Sequence, residues 1–279
     1  MSAYHRPATL HEALAIRGGA DVAIIAGGTD IYPAQATRRA WGEPTQKDIL
    51  DITAIPGLDV IERTATGWRI GALVTWSALR AARLPPLFDG LKRAAAEVGG
   101  AQVQNRGTIL GNLITASPAG DGIPNLLALD AQVEIAGPTP RLLPVAEFLT
   151  GYRATALRVD EIAIALHAPD LPGGISSFQK LGARHYLVIS IAMVAGVLAL
   201  EAGRITAARL AIGACGPVAQ RLPALEAAVL GATPAEAAAL VQPAHLESLA
   251  PIDDIRASAA YRRAAALTLL RDLLRGMAA

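Results

Sequence analysis

The sequence predicts a globular protein of mixed helices and strands, divided into two parts. Three observations carry this. The 279 residues are 52% hydrophobic and 18% charged, a balance that builds an ample core and excludes a disordered chain. Short apolar strands alternate with helical segments as far as Leu166. Beyond them, Ala168-Pro169-Asp170-Leu171-Pro172-Gly173-Gly174 gathers punctuating residues where one part would end and the next begin.

The elements follow in order. Thr9 caps a helix over Leu10–Leu14, with Glu12 at the third position of a capping box, and Gly18-Gly19 ends it. Val22–Ile25 is a buried strand, and Lys47–Ile52 and Trp68–Ala72 are further short strands, the first alternating. Thr75 or Ser77 caps the next helix, and Leu91–Val98 is another. Ala131–Ile135 alternates as a strand, with short elements at Leu142–Phe148 and Glu161–Leu166. The second part starts with Phe178–Leu181. Val194–Leu200 and Ile205–Ile212 then flank Glu201-Ala202-Gly203-Arg204, a hairpin signal. Leu267, Leu270 and Leu274 share one face of a last helix, while Arg271 and Arg275 share the opposite one.

Composition removes several function classes. A net charge of +1 without basic runs, and 4% aromatic residues, argue against a nucleic-acid surface. The single cysteine, Cys215, leaves no internal disulfide and no cluster or zinc ribbon built from this chain alone. The five histidines lack metal-ligand spacing. The first ten residues lack the apolar core of a signal peptide, and the run Tyr186–Leu200 is short for a membrane span. The reading is a cytoplasmic protein.

Residues 99–122 hold six glycines and only two charges, Arg106 and Asp121. Glycine lets backbone N–H groups approach a ligand closely, and Asn105, Thr108, Asn112, Thr115 and Ser117 add short polar side chains. Such a stretch cradles a phosphate-bearing cofactor without lysines; taken alone, it serves equally as connecting turns. Ala26-Gly27-Gly28-Thr29-Asp30, at the end of the Val22–Ile25 strand, breaks the tie. There is no G-x-S-x-G elbow and no phosphate-loop motif. Gly120-Asp121-Gly122 fails as a Rossmann fingerprint because Asn125 stands at the third glycine.

This constellation resembles the FAD-binding subunit of the molybdenum hydroxylases, the xanthine dehydrogenase and carbon monoxide dehydrogenase family. Ala26–Asp30 is similar to the family's first flavin motif. Thr108-Ile109-Leu110-Gly111-Asn112, continuing to Asp121, is similar to the second. Pro251–Ser258 with Tyr261-Arg262-Arg263 resembles its C-terminal signature. The resemblance implies an α+β protein: a two-part FAD-binding domain of the vanillyl-alcohol-oxidase (PCMH) type over residues 1–170, with lobes of about 1–55 and 56–170, and a smaller α+β domain over 171–279. It implies FAD in this chain and partner subunits carrying [2Fe–2S] clusters and a molybdenum–pterin cofactor, in a dimer of heterotrimers. Electrons would pass through the clusters to the flavin and on to a terminal acceptor. A stand-alone reductase or oxidase, or a scaffold that has lost its flavin, are the rival readings.

Carried over by position, the resemblance implies FAD contacts from Ala26, Gly27, Gly28, Thr29 and Asp30, and from Thr108, Gly111 and Asn112 opposite. It implies a hydrogen bond from the flavin's polar chain to Asp121, and an approach of Lys180 and Tyr186 to the ring. No metal ligand is implied. One departure stands out: Leu110 occupies a position where the family usually has glycine. A φ above zero would cost leucine about 1–2 kcal/mol. The expectation is an ordinary backbone there, since Gly111 and Asn112 remain. The group Asp253–Ser258 reads as the charged start of a helix, with Arg256 pairing its carboxylates.

Overall fold

The computed structural model describes residues 3–42 and 47–278. Three parallel strands open it: β1 (Tyr4–His5), β2 (Val22–Ile25) and β3 (Asp48–Asp51), in the order β1-β3-β2. Helix α1 (Leu10–Gly19) connects β1 to β2, and α2 (Ile31–Ala40) follows β2. The capping box forms as read: Thr9 Oγ1 accepts from the Glu12 N–H at 3.2 Å, and Glu12 Oε2 accepts from the Thr9 N–H at 3.3 Å. Strand β3 does not alternate. It is the centre strand, so Ile49, Leu50 and Asp51 are buried in succession.

The second sheet is antiparallel. Its strands are β4 (Ile61–Arg63), β5 (Gly67–Gly71), β6 (Gln132–Ala136), β7 (Arg141–Pro144) and, after the small hairpin β8 (Leu149–Gly151) and β9 (Ala154–Thr155), β10 (Ile162–Pro169). Their order is β4-β5-β10-β6-β7. Between β5 and β6 lie α3 (Trp76–Ala81), α4 (Asp89–Glu97), α5 (Ala101–Arg106), α6 (Ile109–Thr115) and α7 (Gly122–Ala128). Thr75, not Ser77, caps α3. The element expected over Leu142–Phe148 splits into β7 and the single turn α8 (Val145–Phe148).

Residues 170–173 lead to a third sheet: β11 (Gly174–Leu181), β12 (Ala192–Glu201), β13 (Arg204–Gly213) and β14 (Gln220–Arg221), antiparallel in that order. The apolar run is β12, and it is apolar because both faces are covered. Met193, Ala195 and Val197 join the core that begins at Ala13, while Ala192, Val194 and Leu198 join a second core. That second core lies under α9 (Pro223–Ala228), α10 (Pro234–Leu240) and α11 (Ala259–Gly276). The β12–β13 turn is tighter than the sequence suggests. Glu201 pairs with Arg204, leaving Ala202 and Gly203 at φ 48° and 78°, as a two-residue turn needs.

Ahead of α11, Ser258 is the N-cap and Asp253 Oδ1 accepts from the Ala259 N–H. Asp254 pairs with Arg256 and with buried Arg262, each at 2.7 Å. Arg262 also donates to the Ile191 and Ala214 carbonyls, so this charged group fastens the helix to the sheet. Among the described residues, no helix is long and apolar enough to cross a membrane.

Candidate functional site

A groove of about 630 Å3 runs between the first sheet's turn after β2 and the wall made by α6, β9 and β10. The turn is built by glycine for two different reasons. Gly28 has φ +72°, a left-handed conformation that disfavours side chains. Gly27 is pressed by the opposite segment: a Cβ there would stand 1.9 Å from the Arg106 carbonyl oxygen and 3.0 Å from the Gly107 Cα. The missing side chain therefore lets the two walls meet, backbone on backbone.

The turn presents donors with nothing to bond. Among the described residues, the N–H groups of Gly27, Gly28, Thr29, Asp30 and Ile31 find no backbone or side-chain acceptor. Successive unpaired N–H groups at the start of a helix form a nest for an anion. Asp30 does not close this nest with its own side chain. Its carboxylate instead accepts from the Thr115 hydroxyl at 2.6 Å, across the groove.

The opposite wall is differently made. The glycine-rich stretch, legible as turns, is wound into α5, α6 and α7. Thr108 caps α6, its Oγ1 accepting from the Gly111 N–H at 3.1 Å. The Ile109 N–H is taken by the Val74 carbonyl at 3.2 Å. Asn112 Oδ1 accepts from the Gly122 N–H at 3.2 Å, which turns the Asn112 amide nitrogen outward as a donor. Leu110 is an ordinary helical residue in α6, buried, with its side chain on the groove; the glycine departure brings no positive φ.

Of the residues picked out from sequence, Ala26, Gly27, Gly28, Thr29, Asp30, Thr108, Gly111 and Asn112 all line this groove. Asp121, Lys180 and Tyr186 do not. Asp121 lies just behind Gly120, which does. It is committed inside the protein, with Oδ2 2.6 Å from Lys180 Nζ and Oδ1 accepting from the Ser190 hydroxyl at 2.7 Å. Both charged side chains are below 10% exposed. Burial pushes the Asp121 carboxyl up from its ordinary range, against the pull of the Lys180 charge. Burial likewise raises Glu97, whose backbone carbonyl faces Lys180 Nζ at 3.4 Å. Tyr186 is half exposed on the loop after β11, near Gly100.

Sequence reasoning missed Arg17 and Arg153, two cations on the groove. Arg153 sits at φ 51° in the β8–β9 turn, its N–H bonded to the Ala116 carbonyl. Neither position has a local motif; only the fold brings them to the groove.

The residues fit a dinucleotide with a diphosphate centre. The donors are backbone N–H groups, the walls are apolar at Trp76, Leu110, Ile114 and Leu157, and no carboxylate but Asp30 lines the groove among the described residues. Comparison with known proteins agrees. The family model of the FAD binding domain in molybdopterin dehydrogenase matches residues 1–171, and that of the CO dehydrogenase flavoprotein C-terminal domain matches residues 177–277. The nicotine 6-hydroxylase medium subunit of Paenarthrobacter nicotinovorans is 31% identical over 274 residues, covering 96% of this chain and 94% of that one. The carbon monoxide dehydrogenase medium chain of Hydrogenophaga pseudoflava is 29% identical over 281 residues, covering 97% and 95%. Among solved structures, carbon monoxide dehydrogenase from H. pseudoflava lacking the Mo-pyranopterin moiety superposes with a TM-score of 0.87 at 28% identity, over 98% of this chain and 96% of that one. Quinoline 2-oxidoreductase from Pseudomonas putida 86 gives 0.87 at 26% identity, over 100% and 97%. The chain thus belongs to the family of FAD-binding subunits of the molybdenum hydroxylases, oxidoreductases that include the carbon monoxide dehydrogenase flavoproteins.

Proposed function

We propose that this chain is the electron-transfer subunit of a cytoplasmic molybdenum hydroxylase, receiving electrons from [2Fe–2S] clusters on one partner while a second partner carries the molybdenum–pterin centre. FAD bound in the groove supplies the redox chemistry, and its electrons leave to a terminal acceptor. The protein's own task is to hold and tune that group. In this reading the two-part domain over 1–170 binds it and the 171–279 domain packs behind.

One observation carries the reading: among the described residues, five consecutive N–H groups, Gly27 to Ile31, stand unpaired on a groove of about 630 Å3. They hold the diphosphate from one side. The Asn112 amide nitrogen and the proton of the Thr108 hydroxyl, whose oxygen already accepts from Gly111, donate from the other. Asp121 and Lys180 meet the flavin end from behind Gly120, and Tyr186 approaches the ring. The relatives' names, medium subunit and medium chain, support a multi-subunit enzyme over a stand-alone one.

The test has two arms. The purified full chain is titrated with FAD, and saturable quenching of flavin fluorescence is expected. Co-expressed with its neighbouring reading frames, it should purify with iron and molybdenum, neither of which its one cysteine can account for. Protein that ignores FAD both alone and in that assembly would sink the reading.

A further inference from the structure

We infer that Arg262 is a positioning residue for the groove: from α11 it holds the turn at residues 117–121, through two backbone carbonyls that each lead to it. Its effect on the cofactor rests on the FAD reading; its hold on the turn does not.

Arg262 belongs to the C-terminal group at residues 251–263, to which FAD binding by itself assigns no part. It is buried, and a buried charge pair gives a fold little that apolar side chains of similar volume would not. What a guanidinium adds is a planar fork that reaches several acceptors at once. Its Nη2 lies 2.7 Å from Asp254 Oδ1. Its Nη1 donates to the Ile191 carbonyl at 2.6 Å and to the Ala214 carbonyl at 3.2 Å. Nε is left buried without an acceptor, so the side chain is set for these three oxygens and not for satisfying all its donors.

Both carbonyls belong to segments that grip the groove wall. Beside Ile191, the buried Ser190 hydroxyl donates to Asp121 Oδ1 at 2.7 Å, and Asp121 Oδ2 pairs with Lys180. The Ala214 N–H donates to the Pro118 carbonyl at 2.9 Å. Pro118 stands between Ser117 and Ala119, which line the groove with Gly120. Ala214 has φ 61°, a left-handed conformation that alanine keeps only where its surroundings dictate it. Here they do: its N–H is held by Pro118 and its carbonyl by Arg262. Two routes from one guanidinium therefore meet on the same turn, one at Pro118 and one at Asp121.

The neighbouring arginine supplies the contrast. Arg263 also lies on α11 and donates to a backbone carbonyl, that of Leu249, at 2.7 Å. Leu249 belongs to the second core, and no hydrogen bond among the described residues carries that contact on to the groove. Arg263 fastens the helix; Arg262 fastens the helix and the groove.

The experiment compares Arg262→Met and Arg262→Lys with Arg263→Gln in the full chain. Lysine keeps the charge beside Asp254 but not the fork, so it serves if methionine does not fold. In protein freed of flavin, hydrogen exchange of the turn amides, Gly120 among them, is expected to quicken about tenfold or more in both Arg262 variants and to stay within about twofold in Arg263→Gln. FAD titrated by fluorescence should bind about tenfold more weakly to the Arg262 variants alone, the size of a lost charge-assisted contact. Ser190→Ala should cost less in the Arg262→Met background than by itself, as residues on one route do. Unchanged exchange or unchanged FAD affinity in a folded Arg262 variant overturns the inference. So do losses that follow the melting temperature equally in the Arg262 and Arg263 variants. If the unaltered chain ignores FAD even in its assembly, the FAD reading falls, and the exchange arm still decides the hold on the turn.

Discussion

The two walls of the groove are both rich in glycine and use it oppositely. In the Ala26–Asp30 wall the backbone donors are unspent and point at the groove. In the Thr108–Gly122 wall the glycine donors are spent on the protein: Gly111 on the Thr108 hydroxyl, Gly122 on Asn112, Gly120 on the Ser117 carbonyl. Glycines of the second wall serve packing instead. A Cβ on Gly122 would stand 2.8 Å from the Trp76 ring, and one on Gly107 2.9 Å from the Val103 carbonyl. Glycine density therefore marks close approach in both walls, but free glycine donors in only one.

Breaking the contact between the walls should have the largest effect. Gly27→Ala drives a methyl into the Arg106 carbonyl, a backbone atom that cannot step aside. FAD affinity is expected to fall more than about 100-fold, the loss of several hydrogen bonds at once, or the protein to fail to fold. Gly111→Ala is the matched change in the second wall. Its new methyl would stand 2.7 Å from the Thr108 hydroxyl, so it displaces one capping side chain rather than a backbone, and alanine offsets part of that loss by favouring the helix by about 1 kcal/mol. Titration of both variants with FAD, beside thermal melts, checks the contrast; equal losses would mean the walls are alike.

The next largest effect separates binding from support within the second wall. Asp121→Asn leaves the Lys180 ammonium buried without its counter-charge. Such a break costs about 3–5 kcal/mol, read as a lowered denaturation midpoint. Replacing both partners together, as Lys180→Met with Asp121→Asn, should recover much of it, since neither charge is then stranded. A single Asp121→Asn variant with unchanged stability would mean that Asp121 serves the ligand alone.

A control outside both walls fixes the background. Glu161, just before the groove residue Ile162, is held well below the ordinary glutamate range by hydrogen bonds from the Arg141 guanidinium. A lowered carboxyl stabilises the fold fully above the unfolded value of about 4.3, and that contribution is lost as pH falls through the lower folded value. Acid unfolding should therefore soften in Glu161→Gln. That variant should be less stable at neutral pH by about 1.5–3 kcal/mol, the worth of charged hydrogen bonds, yet bind FAD as before.

What the sequence made legible was local. The Thr9–Glu12 capping box, the β12–β13 hairpin and the turn at the end of β2 each depend on residues within a few positions of one another, where side-chain type and backbone preference decide the outcome. What it hid was contact between distant segments. Nothing near Gly27 says that Arg106 presses on it, and nothing near Asp121 says that Lys180, fifty-nine residues on, neutralises it. The alternation read into β3 failed for the same reason: a centre strand is buried on both faces by neighbours its own sequence does not name.

The smallest effect tests the comparison most finely. Thr108, like Asn112, has a part in both accounts: its oxygen accepts from Gly111 while its proton is free to reach the groove. As a helix cap alone, Thr108→Ala costs about 1 kcal/mol of stability and leaves FAD affinity nearly unchanged. Thr108→Asn restores an acceptor at the cap and brings amide N–H donors in place of the hydroxyl, so it should recover the stability. If the hydroxyl also donates to the diphosphate, affinity falls together with stability in the alanine variant, and asparagine recovers part of both. Thermal melts and FAD titrations on the same two proteins separate these outcomes. Unchanged affinity in the alanine variant would leave Thr108 a helix cap alone.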